Sequence, residues 1–334
     1  AGEALPAPTL AAARTAPAPR PARRRRRRWP LVLAVLLVLL LAWPVGLLVW
    51  ADGRLSTVDA LSGRPDTPGT TYLLAGSDER DGSVWNDGTV GGRTDSILLL
   101  HKPVSGPAAL ISLPRDTYVE IPGHGPNKLN AAFALGGAPL LVETVEGLTG
   151  LTVDHYVQIG MAGIGRVVDA VDGVRLCYEH DVDDEKSKLR WKAGCHTVRG
   201  KKALAFARMR YSDPEGDIGR AKRQQQLVGA VAKKLAEPEN LWQPSRQVAL
   251  VRAGTDALVV SEGTGSLDVA RLALAFREAR GEGGVTGTPP IASLDHRPGG
   301  IGSTVLLDPE LAPRFFADLA AGRLEPGEHG GVPR

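Results

Sequence analysis

The chain has 334 residues, 43% of them hydrophobic, enough to bury a core in one large domain or two small ones. Its formal charge of +3 is unevenly spread: residues 1–28 hold eight arginines against Glu3 and carry +7, which leaves −4 for everything after them. The basic character belongs to the amino terminus, and an acidic globular part argues against nucleic-acid binding through bulk charge.

Residues 1–22 are rich in Ala and Pro and lack the large apolar side chains that could pack. With the run Arg23 to Arg28 they form a basic tail expected to be disordered. Residues 29–50 follow as an apolar stretch with Trp29, Trp43 and Trp50 near its ends and middle. About 20 such residues make a helix of roughly 30 Å, the thickness of a hydrocarbon core. Arginines on the amino side and none inside orient the span: tail in the cytoplasm, the rest outside the cell membrane. A cleaved signal peptide is the alternative, but its apolar run would be shorter.

Residues 51–69 are polar and punctuated by Gly53, Gly63, Pro65 and Pro68, and read as a stalk or linker. From residue 70 short apolar runs alternate with helical patterns. Strands are expected near 72–75, 96–101, 109–113 and 156–159, and later near 257–260 and 304–307. Helices are expected near 128–149, 161–171, 200–210, 218–236, 266–280 and 309–321. This alternation predicts one layered α/β domain over residues 70–322, helices covering a central sheet. Residues 323–334, rich in Gly and Pro, are expected to be a flexible tail. Cys177 and Cys195 lie 18 positions apart. Outside the cytoplasm they can oxidise to a disulfide; two buried thiols are the other reading.

Chemistry gathers in four places. Asp78 closes one strand and Asp95 opens the next, so two carboxylates could meet at one sheet end. Mg²⁺ uses such a pair when phosphate supplies further ligands, although aspartates in those positions also serve as turn formers and caps. Arg115 and Asp116 follow the strand at 109–113 abruptly, as an ion pair or a site. Lys128 opens a helix, and a helix amino end beside a cation seats an anion. Finally, Arg208, Arg210, Arg220 and Arg223 fall within sixteen residues around an acidic turn containing Asp217. Guanidinium forks bind phosphate oxygens in pairs and keep their charge. Arg220, Arg223 and Gln224 share one helix face by their i, i+3, i+4 spacing. Cations at a helix amino end oppose its dipole, which suggests a nearby anion. No nucleophile elbow, zinc-protease motif or P-loop is present in the sequence.

These motifs, in this order, resemble the LytR–CpsA–Psr family of cell-envelope proteins. The matching segments are Leu-Leu-Ala-Gly-Ser-Asp78, Gly-Arg93-Thr-Asp95-Ser, Ile-Ser-Leu-Pro-Arg115-Asp116, Lys128-Leu-Asn130, Ala-Val-Asp172-Gly-Val, Ala-Leu-Ala-Phe-Ala-Arg208-Met-Arg210 and Asp217-Ile-Gly-Arg220-Ala-Lys-Arg223-Gln224-Gln. The resemblance implies an α-β-α layered domain with a central mixed sheet, preceded by one transmembrane helix. It implies an enzyme that ligates a glycopolymer from an undecaprenyl- or decaprenyl-pyrophosphate carrier to peptidoglycan. Mg²⁺, or Mn²⁺ in its place, would be held by Asp78 and Asp95. Arg93, Arg115, Arg208, Arg210, Arg220, Arg223 and Gln224 would surround the pyrophosphate, with Lys128 extending the anion seat. Asp116 or Asp217 would take the proton of the attacking hydroxyl. Glu79, Asp81 and Asp87, in a long insert between Asp78 and Arg93, depart from the family pattern. Membrane lipid, the lipid-linked polymer and peptidoglycan are the expected partners, and no nucleic acid. A polyprenyl-pyrophosphate hydrolase would use the same residues with water as nucleophile; a membrane-bound transcriptional attenuator would instead need the tail to bind DNA.

Overall fold

The computed structural model describes residues 29–77, 94–209, 213, 216–235 and 237–332. The chain divides into two compact units, residues 1–44 and 45–334. Of the first, residues 29–44 are described, all within α1 (Trp29–Asp52), a 24-residue helix whose first charged side chain is Asp52. Pro44 sits inside it.

The second unit is built on a nine-stranded mixed sheet. In chain order its early elements are β1 (Ser56–Val58), β2 (Thr70–Ser77), β3 (Thr94–Lys102), β4 (Ala109–Leu113), the hairpin β5 (Tyr118–Ile121) and β6 (Gly125–Lys128), and the long helix α2 (Leu129–Thr149). Then come β7 (His155–Gly160), α3 (Met161–Ala170), the arm strands β8 (Val174–Tyr178), β9 (Val182–Asp184), β10 (Leu189–Trp191) and β11 (Gly194–Val198), and helices α4 (Gly200–Arg208), α5 (Gly216–Leu235), α6 (Glu239–Trp242) and α7 (Pro244–Thr255). The chain closes with β12 (Leu258–Ser261), α8 (Ser266–Ala279), β13 (Val285–His296), β14 (Thr304–Leu307), α9 (Leu311–Ala320) and β15 (Gly327–Gly331). The sheet order is β1-β12-β7-β2-β3-β4-β13-β14, with β15 beside β13.

The central strands are apolar on both faces because both faces are covered. Leu73, Ala75, Ile97, Leu99, Ile111 and Leu113 point into one buried layer, shared with Leu141, Val142 and Val145 of α2 and with Phe315 and Phe316 of α9. Tyr72, Leu74 and Leu100 point into the opposite layer, under Leu272 and Ala275 of α8. A third cluster joins α3, the arm, α4 and α5 through Val168, Leu176, Trp191, Phe206 and Leu227. By length and composition α2 could cross a membrane, yet Leu129, Ala132, Leu141, Val142 and Val145 bury it against the sheet. It bends where Gly136 and Gly137 leave helical geometry, just before Pro139.

The expected layered fold is present, with two refinements at its margins. The expected linker, residues 51–69, contains β1, which runs parallel to β12 and joins the sheet. The expected tail contains β15, parallel to β13. Sheet polarity fixes where chemistry can gather. β2, β4 and β7 end, and β3 begins, at the same edge: Ser77 faces Thr94 and Gly160, and Leu113 faces Ile97.

Candidate active site

Arg115 and Asp116 leave the carboxyl end of β4 in a tight turn. Thr117 donates from its N–H (2.9 Å) and its hydroxyl (2.7 Å) to the Pro114 carbonyl. The turn is tied to α2: the N–H groups of Leu129 and Asn130 donate to the carbonyls of Thr117 (2.8 Å) and Arg115 (2.9 Å). Two of the helix's orphan donors are thereby satisfied by the loop. Anion capture here falls to side chains rather than to those two amides. Lys128 occupies the N-cap position of α2 without a side-chain cap, and Asn127 Oδ1 accepts from the Lys128 N–H at 2.8 Å.

Asp116 lies between two cations. Lys128 Nζ donates to its Oδ1 at 2.9 Å and Arg115 Nε to its Oδ2 at 3.3 Å. All three side chains are partly exposed. The carboxylate fixes both cations at the site end of the sheet, while they remain open to a ligand. The structure thus joins Lys128 to the adjacent Arg115 and Asp116, the latter 12 positions earlier in the sequence.

The second cluster is organised by an ion pair whose acid, Asp213, the motif reading passes over, and whose arginine, Arg223, it assigns to the pyrophosphate; the structure instead buries Arg223. Arg223 of α5 is only 4% exposed and forms a buried ion pair with Asp213, itself 8% exposed. Its Nε donates to the Phe206 carbonyl at 3.1 Å, and its other guanidinium nitrogen to that of Met209. These carbonyls belong to the carboxyl end of α4, where Arg208 stands exposed in the last turn. Arg223 therefore bolts α5 to the end of α4 and holds the segment carrying Arg208. Gly219 is required beside it, because a Cβ there would collide with the Asp213 carboxylate. Gly200 lets α4 approach α3 just as closely, since a Cβ would strike the Gly165 carbonyl. α3 itself starts from Gly160 at the site end of the sheet. Gln224 is half-buried on α5. In the sequence Asp213 is one of three acids in the turn Asp213-Pro-Glu215-Gly-Asp217, ten positions before Arg223, and spacing rules do not single it out.

Asp78, Arg93 and Arg210 lie outside the described residues, as do the side chains of Asp95, Asp217 and Arg220. In the sequence Asp78 directly follows Ser77 and Asp95 directly follows Thr94, and Ser77 and Thr94 form the last rung of the β2–β3 ladder. No group of three or more His, Cys, Asp or Glu side chains is assembled for a metal among the described residues. Cys177 and Cys195 face each other across β8 and β11 and form the disulfide at the root of the arm. A surface groove of about 450 Å³ is lined by Asp181, Trp191 and Lys192 of that arm and by Lys202 of α4.

Residues 51–257 match the LytR_cpsA_psr family, and the chain belongs to that family. It is 39% identical over 281 residues to a probable cell wall biosynthesis protein, LcpB, of Corynebacterium glutamicum, covering 81% of this chain and 66% of the relative. It is 41% identical over 166 residues to a polyisoprenyl-teichoic acid–peptidoglycan teichoic acid transferase, TagU, of Bacillus cereus, covering 49% of this chain and 52% of the relative. The chain thus spans about half to two thirds of these relatives. The fold also matches a LytR-Csp2A-Psr enzyme from Actinomyces oris, with a TM-score of 0.58 at 23% identity over 80% of this chain and 96% of that one.

Proposed function

We propose that this protein is a membrane-anchored phosphotransferase that moves a glycopolymer from a polyprenyl-pyrophosphate carrier onto peptidoglycan through a phosphodiester bond. Family membership supports the reaction class, and the named relatives act in cell wall biosynthesis and teichoic acid transfer. The observation that carries it to this chain is the fixed pair of cations, Arg115 and Lys128, held by Asp116 at the sheet end where β2 finishes and β3 begins.

Arg115 and Lys128 contact the carrier's phosphates and counter the charge that grows on non-bridging oxygens as the acceptor hydroxyl attacks the sugar-linked phosphorus. Arg208, exposed at the end of α4, would counter the same charge, and the family resemblance assigns Arg93, Arg210 and Arg220 to that role with it. Polyprenyl phosphate leaves, and the hydroxyl proton passes to Asp116 or Asp217. Arg223 acts through Arg208 by fixing its helix end. Asp78 and Asp95, which follow Ser77 and Thr94 in the sequence, would hold Mg²⁺ or Mn²⁺ with phosphate oxygens as further ligands, and the ion would neutralise pyrophosphate charge. α1 anchors the chain as a single span, the arginine-rich residues 1–28 in the cytoplasm and the domain outside.

The test offers the protein a polyprenyl-pyrophosphate sugar, Mg²⁺ and a peptidoglycan fragment, with products read by mass spectrometry. A sugar–phosphate–peptidoglycan adduct, lost with EDTA or Arg208→Ala, is the expected result. Release of free sugar phosphate alone would make the protein a hydrolase and overturn the ligase reading.

A further inference from the structure

β13 outruns its neighbour in the sheet. It lies parallel to β4, with Val285 beside Ala109 and Gly287 beside Ile111. Its residues from Ile291 to His296 therefore continue beyond Leu113, the last residue of β4, on the side of the candidate site. β14 returns along that extension and pairs Thr304 with His296 and Leu307 with Ile291. The hairpin is fastened to the backbone of the site itself. The Val305 N–H donates to the Asp116 carbonyl at 2.9 Å, and Val305 bridges to Thr117. It stands as a wall beside the residue that holds both cations.

The wall brings one aromatic ring against another. His296 lies edge-on to Tyr118, with ring centroids 5.3 Å apart and planes at 64°. Tyr118 is the cross-strand partner of Lys128 in the β5–β6 hairpin. Residues directly opposite in an antiparallel pair project from the same face, about 5 Å apart. Lys128 Nζ in turn reaches Asp116 Oδ1. One face thus carries, in order, the charge cluster of Arg115, Asp116 and Lys128, then Tyr118, then His296. Both rings are half-buried. Among the described residues neither the Tyr118 hydroxyl nor a His296 ring nitrogen takes part in a hydrogen bond. The backbone of His296 is fixed, because the buried Thr304 donates from its hydroxyl to the His296 carbonyl at 2.8 Å. The tip of the hairpin is held by Asp295, which accepts from Ser303 Oγ at 2.6 Å and from Arg297 Nε at 2.9 Å.

Two rings set at an angle beside a phosphate-binding lysine suit one kind of neighbour to that phosphate. A pyranose carries C–H groups on its faces and hydroxyls around its rim. The C–H groups pack on an aromatic face, and the hydroxyls can meet the polar atoms of tyrosine and histidine. Resting on the transferase reading, in which the carrier's terminal phosphate is joined to a sugar, we infer that Tyr118 and His296 form the subsite for that sugar. The occupant is the donor's pyranose and not the acceptor's. The donor sugar is bonded to the phosphate that Arg115 and Lys128 hold, so it lies beside Tyr118 from binding to transfer, whereas the acceptor must arrive and leave.

The test titrates the full-length chain in detergent, by calorimetry and without acceptor, with two short polyprenyl pyrophosphates of equal charge. One ends in an N-acetylhexosamine and the other in a methyl group. Tyr118→Leu removes the ring and should weaken the sugar-ended probe about fivefold, the scale of one aromatic contact, while the methyl-ended probe binds as before. Tyr118→Phe keeps the ring and should retain most of the sugar's contribution. His296→Ala changes only the hairpin wall and should give the same selective loss. Unchanged binding of the methyl-ended probe also shows that each variant is folded. Equal weakening of both probes, or of neither, in the Tyr118→Leu and His296→Ala proteins would refute the subsite while leaving the phosphate site intact. In steady-state transfer the variants should raise KM for the donor. A rise confined to the peptidoglycan fragment would place the acceptor on these rings and refute the assignment. If the wild-type chain binds neither probe, the transferase reading falls and this inference falls with it.

Discussion

The buried Arg223–Asp213 pair gives the sharpest energetic expectation. Asp213→Ala removes the only carboxylate described against this guanidinium and leaves the cation enclosed, 4% exposed, between the carbonyls of Phe206 and Met209. Losing one partner of a buried ion pair costs about 3–5 kcal/mol. For a domain of this size each kcal/mol moves Tm by roughly 2–4 °C, so a fall of about 6–20 °C is expected. The double variant Asp213→Leu, Arg223→Met discards both charges and should recover much of that loss. Recovery should stop short of wild type, because the Phe206 and Met209 carbonyls lose their donor, at about 1–3 kcal/mol. Thermal unfolding of the detergent-solubilised chain, followed by circular dichroism, measures all three proteins. A single variant within about 2 °C of wild type, equivalent to less than about 1 kcal/mol, would refute the bolt between α5 and α4. So would a double variant less stable than the single.

Arg208→Ala should lower transfer by about 10²–10³-fold, the loss typical of one charge-stabilising donor, with Tm unchanged because the side chain is exposed; normal activity would remove Arg208 from the site. Reducing Cys177–Cys195 opens a loop closed over 18 positions, worth about 3 kcal/mol on a chain-entropy estimate, and should lower Tm with little change in activity. Burial pushes His101 and His155 below their ordinary value of 6.5. The unfolded chain then binds more protons just below that pH, so this contribution is full above about 6.5 and is lost as pH falls toward the folded values. Urea midpoints should decline below pH 6.5, and His101→Phe should flatten the slope; an unchanged slope would show that His101 does not carry it.

Much of the fold was legible because its central strands are short apolar runs and its main helices are long. The predicted strand at 109–113 coincides with β4, and the helix at 128–149 with α2. β13 escaped notice because Gly287, Pro289 and Pro290 read as punctuation. In the structure they occupy a register shift, where Gly287 passes too close to the His329 carbonyl to carry a Cβ. The arm was hidden by its three-residue strands β9 and β10, whose pairing depends on tertiary contacts rather than local pattern. β1 and β15 are polar segments recruited to the sheet by hydrogen bonding, a contribution that hydropathy does not register. In the site, Arg115, Asp116 and Lys128 were recognisable individually by their abrupt charge after apolar runs. Their meeting was not, since it requires the β5–β6 hairpin to return α2 to the end of β4.

The polarity of the sheet separates its two rims. Thr264, two residues before α8, shares a 2.8 Å hydrogen bond with His155, and His155 pairs with Tyr72. Tyr72 lies five residues below Ser77 on β2, about 17 Å along the strand. The charges of Arg115 and Lys128 therefore stand a full strand length from that rim, and a substitution beside Thr264 can reach them only through the strands themselves.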